Sequence, residues 1–182
     1  SMGGPIIGGF AEKYTDQVKS LSFIAPAGFG KVQTSIPFFM KIPGVIEWAM
    51  HVLADRFYGS AISSETAHSN DPLSINEEEF QQLFSFQMQF KGFRESLAST
   101  MRNFNLFDAR EMFEKVAAKN IPSIAIWGDN DGIVSYKGAE TYSEIFQEGK
   151  VITIEDGTHD ITYRQPSDVL EAIKIFLASQ IS

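Results

Sequence analysis

Cysteine is absent from the 182-residue sequence, which excludes disulfide bonds and thiolate chemistry. The three histidines, His51, His68 and His159, are too scattered to indicate a metal cluster. We therefore expect no metal and no other cofactor. No apolar run approaches the roughly 20 residues that a membrane-spanning helix needs, so we expect no membrane span.

Positive charge is also scarce. Fifteen lysines and arginines stand against 23 acidic residues, which gives a net charge of −8. Nucleic acids and anionic membranes would be repelled by such a chain, and we expect neither as a partner. The opening residues do not read as a signal peptide, and a cytoplasmic location is the expectation. The length, with 43% hydrophobic residues, predicts one soluble domain with a sizeable core.

The chain opens with Ser1-Met2-Gly3-Gly4, and small residues around a serine suit a sharp turn from a strand into a helix. A serine and methionine left by tag removal is the alternative. Pro5 then precedes apolar residues at helical spacing, which predicts a helix: Ile6, Ile7, Phe10, Ala11 and Tyr14. Residues 18–26 alternate between apolar and polar residues before becoming wholly apolar, which predicts a strand buried in a parallel sheet.

Between residues 29 and 107 the patterns are helical and rich in phenylalanine. One apolar stripe comprises Val45, Ile46, Ala49, Met50, Leu53 and Phe57. A second helix is predicted after a capping box formed by Ser74 and Glu77, and a third after a break at Gly92. Residues 60–71 are small and polar and predict an exposed connection. Trp48 is a candidate pocket residue, or a half-buried surface residue.

Strands and helices alternate from residue 108 onward. A helix is predicted over 108–119, a strand over 121–127, a helix over 137–146, a strand over 150–154 and a helix from Pro166. This alternation predicts a parallel α/β sheet. Asp129 and Asp131 follow the first of these strands and His159 the second. Since such sheets carry their active residues at the carboxyl ends of strands, both places are candidate sites.

The opening turn, together with the order Ser1, Asp131, His159, resembles the α/β-hydrolases, in which nucleophile, acid and base follow in this order. The resemblance implies an α/β fold: the C-terminal part of that fold, with parallel strands flanked by helices and an all-helical cap inserted. It divides the chain into core residues 1–28, a cap at 29–107 and a C-terminal core segment at 108–182. A Gly-x-x-Asp pattern makes Asp131 the matching acid and leaves Asp129 as a turn residue. The family's histidine usually follows glycine directly, whereas Thr158 intervenes here.

The resemblance also implies a mechanism. His159 would take the proton of the Ser1 hydroxyl, Asp131 would hold the imidazole, and the backbone N–H of Met2 would stabilise the oxyanion. The family's second oxyanion donor comes from a segment that this chain lacks. The strand at 18–25 would also expose an unpaired edge. We therefore expect the N-terminal half of the same fold, or a second chain, to cover that edge.

Hydrolysis of a carboxylic ester or related acyl bond in a small lipophilic substrate is the favoured function, since the helical cap is so aromatic. One alternative is hydrolysis of carbon–carbon bonds in ring-cleavage products, by enzymes with the same Ser-Met-Gly-Gly elbow. Another is a non-catalytic ligand-binding module. A mechanism in which the α-amine of Ser1 is the base is disfavoured, because such enzymes are built on antiparallel sheets. Epoxide and haloalkane hydrolases use Asp in place of Ser1.

Overall fold

The computed structural model describes residues 1–30, 42, 44, 45, 48, 70–104 and 108–180. The chain divides into two compact units. The core unit comprises Ser1–Gln33, Ala67–Ser74 and Leu106–Ser182, and the insert unit comprises Thr34–Thr66 and Ile75–Asn105. Residues 67–74, which lie inside the predicted cap, thus belong to the core unit.

A parallel sheet of three strands forms the centre of the core unit. The strands are β1 (Leu21–Ile24), β2 (Ser123–Gly128) and β3 (Lys150–Ile154), in the order β1-β2-β3. Leu21 lies opposite Ser123, and Ile126 lies opposite Ile152. β2 is central and buried at every residue, which explains why its sequence is an almost unbroken apolar run.

Helices cover both faces of this sheet. They are α1 (Gly3–Lys13), followed by a 3-10 turn (Thr15–Gln17), then α4 (Arg110–Ala117), α5 (Gly138–Ile145), the short α6 (Ile161–Arg164) and α7 (Pro166–Ala178). α1, α4 and α5 enclose an aromatic cluster on one face: Phe23, Phe29, Phe113, Trp127, Tyr142 and Phe146. α7 packs on the other face against an aliphatic cluster: Ile124, Ile126, Ile154, Ile161, Val169, Ala172 and Phe176. Alternate residues of β2 enter the two clusters, as the pleat of a strand requires.

In the insert unit, the structure describes α2 (Glu77–Met88) and α3 (Phe93–Asn103), separated by Gly92 in the left-handed conformation at φ 86°. The predicted capping box of Ser74 and Glu77 is wrong. Asn76 caps α2 instead: its Oδ1 accepts from Glu79 N at 2.9 Å, and Glu79 Oε2 accepts from Asn76 N at 3.0 Å.

The structure describes only part of the region predicted as the cap. The apolar stripe between Val45 and Phe57 and the connection at 60–71 lie mostly outside the described residues. Trp48 is described and exposed, with 62% of its surface accessible. Three apolar residues of α2 and its C-terminal turn are also exposed: Leu83, Phe86 and Phe90. Among the helices described, none is long and apolar enough to cross a membrane.

Candidate active site

Ser1 lies where β1 ends and α1 begins. Its amine donates to the carbonyl of Ile24 at 2.9 Å, and its own carbonyl accepts from Gly4 N at 3.0 Å and Ala27 N at 2.9 Å. These bonds place the serine beside the carboxyl end of β1. The residue is exposed, so its side chain is available to a molecule from solution. Met2 follows as the N-cap of α1.

The α-amine of Ser1 is nevertheless crowded by surrounding chain. Burial lowers the pKa of this amine to about 6, and the negative charge of Asp131 opposes the shift. Asp131 therefore lies close enough to Ser1 to act on it electrostatically. The sheet beside Ser1 is parallel in both of its strand pairs. It does not match the antiparallel layers expected if the amine were the base.

Asp131 uses both of its carboxylate oxygens. Oδ1 accepts from the backbone amides of Ile133 at 2.9 Å and Val134 at 2.7 Å, and Oδ2 lies 2.8 Å from Nδ1 of His159. The side chain has no accessible surface. Asp129 lies in the turn after β2, as predicted, and is exposed. The amides that it was expected to satisfy donate to Asp131 instead.

Trp127, the penultimate residue of β2, supports the same loop from the inside. Its indole Nε1–H donates to the carbonyl of Val134 at 2.9 Å, and the residue has no accessible surface. The loop carrying Asp131 is thus fixed at Val134 both by its amide and by its carbonyl. Sequence reasoning missed this role of Trp127. The available signal was an aromatic donor directly before a turn.

Two glycines bring the acid loop and the histidine loop together. The backbone of Gly128 lies against that of Gly157, and a Cβ atom on Gly128 would overlap the Gly157 carbonyl. The same carbonyl accepts from Asn130 N at 2.9 Å. Because this contact fixes the start of the loop, Thr158 can intervene between glycine and histidine while His159 still reaches Asp131.

The bond to Asp131 determines which nitrogen of the His159 imidazole carries the proton. With Asp131 bound at Nδ1, the proton of a neutral His159 is held on that nitrogen, and the lone pair is on Nε2. Asp131 follows β2, His159 follows β3, and Ser1 lies beside the carboxyl end of β1. A serine, an oriented histidine and a buried carboxylate are the groups that nucleophilic acyl transfer requires. Among the described residues, no group of three His, Asp or Glu side chains could hold a metal ion.

No protein-family model matches the chain. Lipase 3 of Moraxella sp. (strain TA144) is 26% identical over 193 residues, covering 97% of this chain and 53% of that protein. Monoacylglycerol lipase ABHD6 of Mus musculus is 23% identical, covering 98% of this chain and 53% of that protein. The chain thus spans about half the length of these curated relatives.

Solved structures show the same architecture. A bromoperoxidase from Bacillus anthracis superposes with a TM-score of 0.70 at 20% identity, over 98% of this chain and 65% of that chain. A thermophilic esterase from Thermogutta terrifontis gives a TM-score of 0.67 at 19% identity, over 100% of this chain and 64% of that chain. The chain has the α/β-hydrolase fold. Within this α/β-hydrolase fold, the three strands described here form a partial sheet that is parallel and flanked by helices, as the sequence predicted.

Proposed function

We propose that this chain carries the catalytic residues of a serine hydrolase that cleaves carboxylic esters, with Ser1 as nucleophile, His159 as general base and Asp131 as the orienting acid. The observation that carries the proposal is the hydrogen bond of 2.8 Å between the buried Asp131 Oδ2 and His159 Nδ1. It lies at the strand ends where Ser1 also stands.

The chemistry proceeds in two halves. Ser1 Oγ attacks the ester carbonyl carbon while Nε2 of His159 takes the hydroxyl proton. The tetrahedral intermediate collapses, the bond from carbon to the alcohol oxygen breaks, and His159 gives its proton to the leaving alcohol. A water then loses its proton to His159 and attacks the acyl-enzyme. The carboxylic acid leaves and Ser1 recovers its proton, while Asp131 stays ionised throughout.

The oxyanion of each intermediate requires donors fixed in advance. The backbone N–H of Met2, directly after the nucleophile and at the start of α1, is the first of these. Loss of one such donor typically lowers turnover by about 100-fold to 1000-fold. We assign the second donor to a segment outside this chain.

That segment would also cover the open side of β1. In the described sheet, β1 pairs with β2 on one side only, and Ile6 and Phe10 of α1 are about half exposed. Unpaired strand edges and exposed apolar stripes are features that proteins normally cover. We propose that an additional strand, from the same protein or from a second chain, pairs with β1.

A lipophilic acyl or alkyl group is the proposed substrate feature. A cavity of about 230 Å³ opens in the core unit, and its lining includes the apolar side chains of Pro26, Phe29, Trp127 and Val134. Two of the lining residues are connected to the site: Pro26 precedes Ala27, whose amide donates to the Ser1 carbonyl, and the amide of Val134 donates to Asp131. The two relatives named lipases accord with such a substrate.

The test is turnover of a neutral short-chain aryl ester, and the measurement is the release of acid and alcohol in equal amounts. We expect turnover that is lost in Ser1→Ala and in His159→Ala. The ring-cleavage product of a catechol serves as the second substrate, because the Ser-Met-Gly-Gly elbow also fits carbon–carbon bond hydrolysis. Binding of a non-hydrolysable ester analogue without turnover of either substrate would contradict the proposal and leave a ligand-binding module.

A further inference from the structure

The two neighbours of His159 are tied to each other. The hydroxyl of Thr158 donates to Oδ1 of Asp160, so a side-chain bond spans the histidine that stands between them. The second oxygen of Asp160, Oδ2, accepts from Nε of Arg164 at 3.0 Å. Arg164 is the last residue of α6. We call these three residues, Thr158, Asp160 and Arg164, the histidine clamp.

The clamp is built into the core unit. Thr158 and Arg164 each expose only 9% of their surface, and the side chain of Asp160 exposes 16%. The backbone carbonyl of Asp160 accepts from Tyr163 N at 2.7 Å and from Arg164 N at 3.0 Å, which anchors α6 at its first turn. Ile161 is fully buried in the aliphatic cluster beneath it. The clamp therefore joins the histidine loop to a helix that cannot shift freely.

Stability does not account for such a group. Taking a carboxylate and a guanidinium out of water costs much of what their attraction gains, and apolar residues of similar volume often stabilise equally well. Fixing one conformation is the better-supported use of such polar groups. Here that conformation is needed, because residues 155–160 form no helix or strand that would fix the histidine.

We propose that Thr158, Asp160 and Arg164 are positioning residues, which hold His159 on both sides so that its Nδ1 stays against Asp131. The inference rests on the proposed function, since it assigns the clamp to the base of that reaction. None of the three touches the reacting atoms. Asp131 is held by its own loop through Trp127 and the turn amides, and the glycine contact joins that loop to the histidine loop. The clamp adds a restraint next to His159 itself.

A matched pair of variants tests the clamp. Thr158→Val keeps the shape and removes the hydroxyl, while Thr158→Ser keeps the hydroxyl and removes a methyl group. The readout is the low-field proton signal of His159 Nδ1–H in the bond to Asp131, read by NMR at low temperature and assigned by its loss in His159→Ala. We expect Thr158→Val to shift or lose this signal and Thr158→Ser to keep it. An unchanged signal in Thr158→Val would overturn the inference.

Kinetics give a second readout. Misplacement of a catalytic group by about 1 Å can cost on the order of 100-fold in rate, so we expect kcat of Thr158→Val to fall by up to that factor with KM unchanged. Equal kcat values in wild type and Thr158→Val would also overturn the inference. If Thr158→Val does not fold in thermal unfolding controls, Asp160→Asn replaces it, with the same expected losses.

The NMR measurement needs no turnover. The proposed function and the histidine clamp can therefore be rejected separately. A wild-type signal without any ester hydrolysis would reject the proposed function while the clamp's effect on the Asp131 bond is still measured. Ester hydrolysis with a signal that Thr158→Val leaves unchanged would reject the clamp alone.

Discussion

The carboxylate of Asp131 links a backbone turn to the imidazole of His159, with one oxygen for each task. An amide in its place could still accept from the turn through Oδ1. Its NH₂ group, however, would face Nδ1 of His159 and favour the tautomer with the proton on Nε2, which cannot accept a proton from serine.

Asp131→Asn should therefore lower kcat by about 10⁴-fold with the fold retained. Steady-state kinetics on a neutral ester measure the effect. Asp129→Asn is the matched control, since Asp129 is an exposed carboxylate two residues away and its loss should leave kcat unchanged. Equal losses in both variants would show that the loop's charge, and not the bond to His159, is what matters.

At the scale of elements, the approach of two loops depends on Gly128 and Gly157. Gly128→Ala would force its Cβ into the Gly157 carbonyl, and forced overpacking costs about 1–3 kcal/mol or more. We expect a loss of stability of that size together with a loss of activity, because the acid and the histidine separate.

Gly9→Ala is the control for Gly128→Ala. A Cβ on Gly9 meets only the sulfur of Met112, at 3.8 Å, and alanine in a helix is favoured over glycine by about 1 kcal/mol. This variant should be slightly more stable than wild type and fully active. Urea unfolding measures the stability of both variants, and ester turnover measures their activity. A Gly128→Ala protein that retained wild-type activity would contradict the role of the glycine contact.

β2 and α5 are joined by a buried hydrogen bond from the Tyr142 hydroxyl to Ser123 Oγ at 2.8 Å. Burial raises the pKa of Tyr142 to about 12, whereas an unfolded tyrosine titrates near 10. Between these values the folded state keeps a proton that the unfolded state loses. The contribution of Tyr142 to the free energy of unfolding is therefore full below pH 10 and is lost as the pH rises to about 12.

Urea unfolding of wild type and Tyr142→Phe between about pH 9 and 12 isolates this contribution. The stability difference between them should shrink with rising pH, by up to about 3 kcal/mol. At pH 9, Tyr142→Phe should cost about 1–3 kcal/mol, because Ser123 loses its partner, and adding Ser123→Ala should recover much of that cost. A difference that stayed constant with pH would contradict a buried, neutral Tyr142.

The boundaries of the strands and helices show how much of the fold could be predicted from the sequence. The strand predicted over 150–154 is β3 as observed, since its apolar run is bounded by turn residues on both sides. The strand predicted from Ile121 begins at Ser123 instead. The capping box was misplaced because three consecutive glutamates, Glu77 to Glu79, offer two boxes at the same spacing. Serine and asparagine are equally good caps, so only the three-dimensional structure decides for Asn76.

Some features of the candidate site could likewise be predicted from the sequence, and others could not. Asp131 and His159 could be placed together from sequence, because strand ends converge in a parallel sheet. The bond from Trp127 to Val134 and the histidine clamp could not, since they depend on side-chain directions that only the packed elements fix. The dual use of Asp131 was missed for the same reason: two aspartates in one turn are equivalent until one is buried.

At the scale of the whole molecule, the net charge of −8 creates a field that repels anions. An ester with a negatively charged leaving group should therefore have a lower kcat/KM than a neutral ester of the same acyl chain at low salt. The gap should close between about 0.01 M and 0.15 M salt, as the screening length falls from about 30 Å to about 8 Å. Kinetics on the two esters across this range measure the effect. A gap that did not depend on salt would assign the discrimination to local contacts in the pocket.

The most direct test of the account is covalent labelling of Ser1. The chain is incubated with a fluorophosphonate and its intact mass is measured, beside Ser1→Ala and with the first residue verified by N-terminal sequencing. The account predicts a single added phosphonyl group in the wild-type chain, located on Ser1 by peptide mapping and absent from Ser1→Ala. A folded wild-type chain that stays unlabelled, or a label that persists in Ser1→Ala, would contradict Ser1 as the nucleophile that His159 and Asp131 activate.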